Sequence, residues 1–169
     1  MRNRIFFIKS KESSVCPICS GTLKVRDTKQ RKLICTVDVI VVKWYRLRRL
    51  VCESCGKLHT ELPDCMQPYK QYEADAIQAE IDGSQENPHA DDNTLKRWRN
   101  EFRRRKDQIE GAIRALWSKH YGIHYPLLKR ESLLESLRKN EPCWLRLVNK
   151  AMINKKFPIH TRFAFCPWT

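Results

Sequence analysis

The chain has 169 residues, 33 Lys or Arg against 19 Asp or Glu, for a formal net charge of +14, and an isoelectric point near 9.6. Such a length suits one ordinary domain or a few small modules. Such a charge calls for a polyanionic partner, nucleic acid before an anionic membrane surface. The longest apolar run, Val39 to Val42, falls far short of the roughly 20 residues of a spanning helix, which argues against a membrane partner.

In chain order, Met1-Arg-Asn-Arg-Ile-Phe-Phe-Ile8 is basic and apolar but lacks the h-region and small-residue cleavage site of a signal peptide. A cytoplasmic chain is expected, and there cysteine pairs more often hold metal than form disulfides. Cys16-Pro-Ile-Cys19 and Cys52-Glu-Ser-Cys55-Gly56 are two such pairs. Between them, Leu23 to Val51 is rich in Val, Ile, Thr, Trp and Tyr and reads as short antiparallel strands, with Thr28-Lys-Gln-Arg31 as a turn between two of them. A helix is expected over Tyr69 to Ile81, ended by Asp82-Gly83, then a loop over Gly83 to His89.

A second helix should begin at Asp92 or Asn93, either able to cap the free amides, with Leu95, Trp98, Phe102, Ile109 and Ile113 as its buried stripe. It either runs through or breaks near Lys106 before continuing to Trp117. Beyond Tyr121-Gly-Ile-His-Tyr-Pro126, short helices are expected near Arg130 to Lys139 and Pro142 to Ile153. Phe157 to Thr169 reads as extended, either covering the core or serving as a docking peptide.

Four thiolates from the two pairs, Cys16, Cys19, Cys52 and Cys55, can close a tetrahedral shell around Zn(II), with no position open for water or substrate, so the zinc would be structural. Pro17 and Gly56 suit knuckle turns, Gly56 because the residue after the second cysteine often needs positive φ. A small module buries too little apolar surface to fold unaided, and the metal supplies the remainder. Cys65 and His59 are the alternative ligands, although His59 is expected to be exposed on the following strand. Cys35, Cys65, Cys143 and Cys166 read as small buried hydrophobes.

Charge is uneven along the chain. Residues 60–93 hold nine carboxylates and a single lysine, a shift read as a module boundary near Pro63, whereas residues 94–106 hold seven cations against Glu101. Lys43, Arg46, Arg48 and Arg49, interleaved with Trp44 and Tyr45, would give the zinc module phosphate contacts and stacking surface, or simply a solvated basic face. Thr94, Lys96, Arg97, Arg99, Asn100, Arg103 and Arg104 would occupy the outward side of the second helix, the candidate recognition helix.

Cys16-Pro-x-Cys19, the basic segment ending Leu47-Arg-Arg-Leu-Val-Cys-Glu-Ser-Cys55-Gly56, Glu61-Leu-Pro63 and a helical pair with Arg97-Trp98 together resemble the N-terminal zinc-ribbon and helix-turn-helix region of certain bacterial insertion-sequence transposases, and small mobile-element proteins that share it. The resemblance covers about residues 10–105 and implies binding to element ends or a regulatory site. The RNase H-like catalytic domain of those transposases has no counterpart in this chain, and no nucleophile motif or phosphate-cradling loop stands beside any histidine, so no enzyme is expected.

The expected architecture is α+β: a small antiparallel β zinc ribbon (residues 1–62), a helix-turn-helix-like DNA-binding region (63–120) and a small helical C-terminal region with an extended tail (121–169). The expected partners are double-stranded DNA and a protein such as a transposase or recombinase, with no small-molecule substrate. An adaptor docking RNA or protein within a larger machine is the second class these features suit.

Overall fold

The computed structural model describes residues 5–10, 13–36, 40–84, 89–121, 132–152, 159–161 and 164–165. In order these form β1 (Ile5–Phe7), β2 (Lys9–Ser10), β3 (Leu23–Thr36), β4 (Ile40–Cys52), β5 (Leu58–Pro63), α1 (Ala74–Asp82), α2 (Asp92–Tyr121), α3 (Leu133–Asn140), α4 (Trp144–Ala151), β6 (Ile159–Thr161) and β7 (Ala164–Phe165). The fold is mixed α+β, as expected. No helix among the described residues is long and apolar enough to cross a membrane.

β3 and β4 make one long antiparallel hairpin, in register from Leu23↔Cys52 to Thr36↔Ile40 with a single irregularity between Val25 and Asp27. At about 3.3 Å per residue it extends roughly 40 Å. The expected turn at Thr28 to Arg31 is therefore incorrect: those residues lie mid-strand opposite Tyr45 to Arg48. Thr28, Lys29 and Gln30 are polar because they are exposed, and the backbone ladder, not burial, keeps them extended. The chain reverses beyond Thr36, and Val37 to Val39 lie outside the described residues.

The far edge of β4 is shared. β1 pairs with it in parallel at Trp44 to Arg46, and β5 pairs antiparallel at Arg49 to Val51. β6 adds a parallel partner to β5 at Glu61 to Pro63, while β2 pairs with β7. The inner face of the hairpin buries Leu33, Cys35 and Leu47 with Ile8, Leu62 and Met66. On the other face of the same strands Glu61, 1% exposed, accepts two hydrogen bonds from Arg48, at 2.7 and 2.9 Å. Removing one partner of such a pair strands a buried charge, at a cost of about 3–5 kcal/mol.

The first helix begins at Ala74, later than expected at Tyr69, because the preceding backbone is committed elsewhere. Tyr69 has φ of 62°, the Ile34 amide donates to Gln71 O, and the Glu73 amide donates to Ile34 O. Gly83, at φ 70°, ends the helix as expected: the amides of Ser84 and Gly83 donate to Ala79 O and Glu80 O, which is a Schellman arrangement. Asp91 caps α2, accepting from the Thr94 amide at 2.8 Å.

α2 runs unbroken for 30 residues. Its stripe of Trp98, Ile109 and Ile113 meets Ile77 of α1, Leu134 of α3 and Trp144, Leu145 and Val148 of α4 in a second core. The C-terminal helices start a few residues later than expected and pack on α2. Of the four isolated cysteines, Cys35 is buried, Cys65 half-buried and Cys143 exposed. Cys143 departs from the expectation because it sits at the N-terminal end of α4, outside the core stripe. Cys166 and residues 166–169 of the tail lie outside the described residues.

Glu110 joins α2 to α3. Its carboxylate accepts from the Ser132 hydroxyl and from the Leu133 and Leu134 amides at 2.7–3.0 Å, at the positive end of the α3 dipole. Burial pushes the Glu110 carboxyl up, but these donors outweigh it and hold the group below its ordinary value. Its stabilising contribution is therefore complete above about pH 4.3 and is lost as pH falls through the lower folded-state value. Glu110→Gln should lower unfolding free energy by about 1 kcal/mol at pH 7. Denaturant titrations at neutral and acid pH should show this gap closing on acidification; an equal gap at both would contradict the role of the charge.

Candidate metal centre

The two Cys-x-x-Cys segments adopt the same backbone path. In the first, Cys16 N donates to Gly21 O at 2.9 Å and Ser20 N to Cys16 O at 2.8 Å; in the second, Cys52 N donates to Lys57 O at 3.0 Å and Gly56 N to Cys52 O at 2.9 Å. Each turn closes on a residue in the left-handed region, Ser20 at φ 61° and Gly56 at φ 67°, so the positive φ expected at Gly56 is present. The turns sit at the open end of the β3–β4 hairpin, where Glu53 N donates to Thr22 O at 3.0 Å.

This doubled turn brings the four sulfurs of Cys16, Cys19, Cys52 and Cys55 within 4.8 Å of one another. Cys16 Sγ lies 3.7 Å from Cys55 Sγ, and Cys19 Sγ lies 3.4 Å from Cys52 Sγ. A tetrahedron of thiolates about 2.3 Å from a central ion has edges of about 3.8 Å. The cluster is of a size to hold one tetrahedral metal ion, and the donor set suits a thiophilic one.

Backbone amides point at the sulfurs: Ile18 N at Cys16 at 3.4 Å, Gly21 N at Cys19, Cys55 N and Ser54 N at Cys52, and Lys57 N at Cys55. Such donors favour thiolate. The Cys55 amide leads in drawing Cys52 down to about 6. Cys19, despite the Gly21 amide, is pushed up to about 12 by hydrogen bonding with the Cys52 and Cys55 sulfurs and by burial. Four thiolates so close repel one another, and a central cation removes that penalty.

His59 was expected to be exposed; instead it is 5% exposed, with Nε2 3.4 Å from Cys16 Sγ. Its register opposite Leu50 on β5 turns it towards the first knuckle, where burial lowers its pKa and favours the neutral ring. It is no member of the four-sulfur cluster but can donate to it, as outer-shell groups do. Cys65 lies in the sheet core, packed against its buried residues.

The basic residues named from the sequence do not form one surface. On β4, side chains alternate, so Lys43 and Arg49 share the face of Leu47, whereas Arg46 and Arg48 share that of Trp44. Arg48 is held by Glu61 and Arg49 by Asp27, leaving Arg46 as the exposed member of the set. On α2, Arg99 pairs with Glu80, and the Thr94 hydroxyl donates to Asp91 at 2.7 Å. Lys96, Arg97, Arg103 and Arg104 are exposed and make no salt bridge among the described residues. Asn100 lies among them, its Oδ1 accepting from Arg103 at 3.0 Å and its backbone oxygen from Arg104 at 3.4 Å.

A family model described as a domain of unknown function, DUF6431, matches residues 16–98. The match opens on the first cysteine of the cluster and closes on Trp98 of the helical core, so it contains both knuckles, the hairpin and the start of α2. No curated protein and no solved structure matches the chain.

Gly21 is a site requirement that the sequence pattern does not expose. A Cβ there would stand 2.4 Å from Ser54 Oγ, 2.9 Å from Ser54 Cβ and 3.0 Å from Cys52 Sγ, so the two knuckles approach this closely only because position 21 has no side chain. Gly21→Ala should weaken affinity for a metal ion at the four sulfurs by about 10–100-fold, the range for groups that orient metal ligands. Adding Ser54→Gly should restore part of the loss, measured by competition with a chromophoric chelator. Unchanged affinity in Gly21→Ala would contradict the close approach.

Proposed function

We propose that the chain is a zinc-stabilised protein that binds double-stranded DNA through the outward face of α2, without chemistry of its own. The observation that carries this reading is the stripe of Lys96, Arg97, Arg103 and Arg104, four exposed cations that make no salt bridge among the described residues, Arg97 acting on Asp91 only at longer range. Arg48, Arg49, Arg99, Arg138 and Arg146, by contrast, are each tied to an acidic side chain. Cations already paired must give up a partner to bind phosphate; unpaired ones release only counterions.

The stripe occupies the side of α2 opposite Trp98, so it is presented by a rigid core. Asn100 stands within it, suited to adenine, with arginines suited to guanine or phosphate. α1 and α2 would act as the helix-turn-helix-like pair. The carboxylates of α1 and its flank are engaged by other side chains, Glu80 with Arg99, Asp82 with Arg138 and Trp144, and Asp75 with Arg146. That arrangement offsets the acidic charge of α1.

Zn(II) is the ion proposed for the four-sulfur site: borderline-soft, without d-electron geometry, and structural where four thiolates close the shell. The resemblance to zinc-ribbon and helix-turn-helix regions of insertion-sequence transposases supports element ends or a regulatory site as the target, with a transposase or recombinase as protein partner.

Duplex affinity should fall steeply with salt, each phosphate-neutralising cation contributing about 0.9 to the log–log slope. Replacing Lys96, Arg97, Arg103 and Arg104 with alanine should lower that slope by up to about 3.6 while leaving the thermal transition in place. Fluorescence anisotropy on labelled duplex across a salt series makes the measurement. An unchanged slope, or a preference for RNA over duplex DNA, would contradict the assignment.

A further inference from the structure

β1, β4 and β3 present a second sheet face, turned away from the core of Leu33 and Leu47. Side chains alternate along a strand, and the two registers set those of this face in cross-strand rows. Ile5 stands beside Trp44 and Trp44 beside Lys32; Phe7 stands beside Arg46 and Arg46 beside Gln30. The intervening Phe6 and Tyr45 point the other way, their ring centroids 5.5 Å apart and Tyr45 packed against the sheet core. On the face itself Ile5, Phe7, Gln30 and Arg46 are exposed, and Lys32 and Trp44 are half-buried.

This face joins apolar rings to positive charge. Phe7 leaves 37% of its surface open, and large apolar side chains open in a group mark a contact surface. Lys32 and Arg46 make no salt bridge among the described residues. The carboxylate of Glu61, on the same face, is 1% exposed and already taken up by Arg48. The surface therefore suits a polyanion that also offers flat apolar faces. An acidic peptide supplies charge but nothing to stack on the rings. A duplex supplies phosphates but keeps its base faces stacked on one another, whereas a single strand supplies both.

The spacing fits that ligand. Neighbouring strands lie about 4.8 Å apart and residues two apart on one strand about 6.6 Å, which sets Trp44 and Phe7 about 8 Å from each other across the diagonal. That is more than twice the roughly 3.4 Å between stacked bases, so each ring can take a base of its own. Each ring also has a cation beside it, Lys32 next to Trp44 and Arg46 next to Phe7.

We propose that this sheet face binds single-stranded DNA without sequence preference, with Phe7 and Trp44 stacking on bases and Lys32 and Arg46 contacting phosphates. It is a second nucleic-acid surface, separate from the stripe on α2, and it stands whether or not α2 binds duplex.

The test uses the full chain, purified with zinc, in which Lys96, Arg97, Arg103 and Arg104 are replaced by alanine so that the α2 stripe does not contribute. A fluorescein-labelled oligothymidylate of twelve nucleotides is titrated by anisotropy. Saturable binding with a dissociation constant at or below about 100 µM is expected, and a duplex of the same length should bind at least about 10-fold more weakly. Trp44→Phe, which keeps a ring, should stay within about threefold of its parent, whereas Trp44→Leu and Phe7→Ser should each weaken binding at least about 5-fold with circular dichroism unchanged. Lys32→Gln combined with Arg46→Gln should lower the log–log salt slope by about 1.4, at about 0.7 per cation on a single strand. Absence of saturable binding by the folded chain, a duplex or a polyglutamate of twelve residues bound as tightly as the single strand, or undiminished affinity in folded Trp44→Leu and Phe7→Ser variants would each overturn the proposal.

Discussion

The close approach of two Cys-x-x-Cys turns at the open end of the β3–β4 hairpin is the constraint on which the rest depends. The turns are separated by 32 residues in sequence, and almost all of that separation is the hairpin itself. Leu23↔Cys52 sets the register at the sulfur end. A one-residue slip of β4 against β3 would turn Leu47 out of the core and part the knuckles. The sulfur cluster and the sheet core therefore specify the same register.

Charge is sorted by the fold more finely than by the sequence. The acidic segment between the hairpin and α2, read as a boundary between modules, is the ion-pair partner of the helices: Glu80 holds Arg99, Asp82 holds Arg138, and Asp75 and Glu73 hold Arg146. What looks like a shift of sign along the chain becomes pairing in space. Once these pairs are made, Lys96, Arg97, Arg103 and Arg104 remain exposed on one side of α2, without a salt bridge among the described residues. The opposite side of the same turns carries Trp98 and Phe102.

Much of this was legible where a residue type has few possible reasons to occur at a given spacing. Two Cys-x-x-Cys pairs in one basic segment announced the cluster, Asp82-Gly83 announced a helix end, and Leu95, Trp98 and Phe102 announced the buried stripe of α2. Features that depend on partners remote in sequence were not legible. His59 reads as an exposed strand residue until its register places it against Cys16, and Arg48 reads as a phosphate contact until Glu61 is found buried beside it. Gly21 resembles any loop glycine until Ser54 is seen 2.4 Å from its absent Cβ. The polar run Thr28 to Arg31 mimics a turn because a strand exposed on both faces carries no periodic signal.

The most direct test of the account is metal content measured together with folding. Chain purified without added metal and analysed by inductively coupled plasma mass spectrometry should carry one zinc per molecule. Its removal by a strong chelator should abolish the cooperative unfolding transition of the sheet, which zinc alone should restore. A chain with much less than one zinc, or one in which Cys52→Ser unfolds as cooperatively and at the same temperature as the parent, would contradict the claim that the four-sulfur centre holds the hairpin in place.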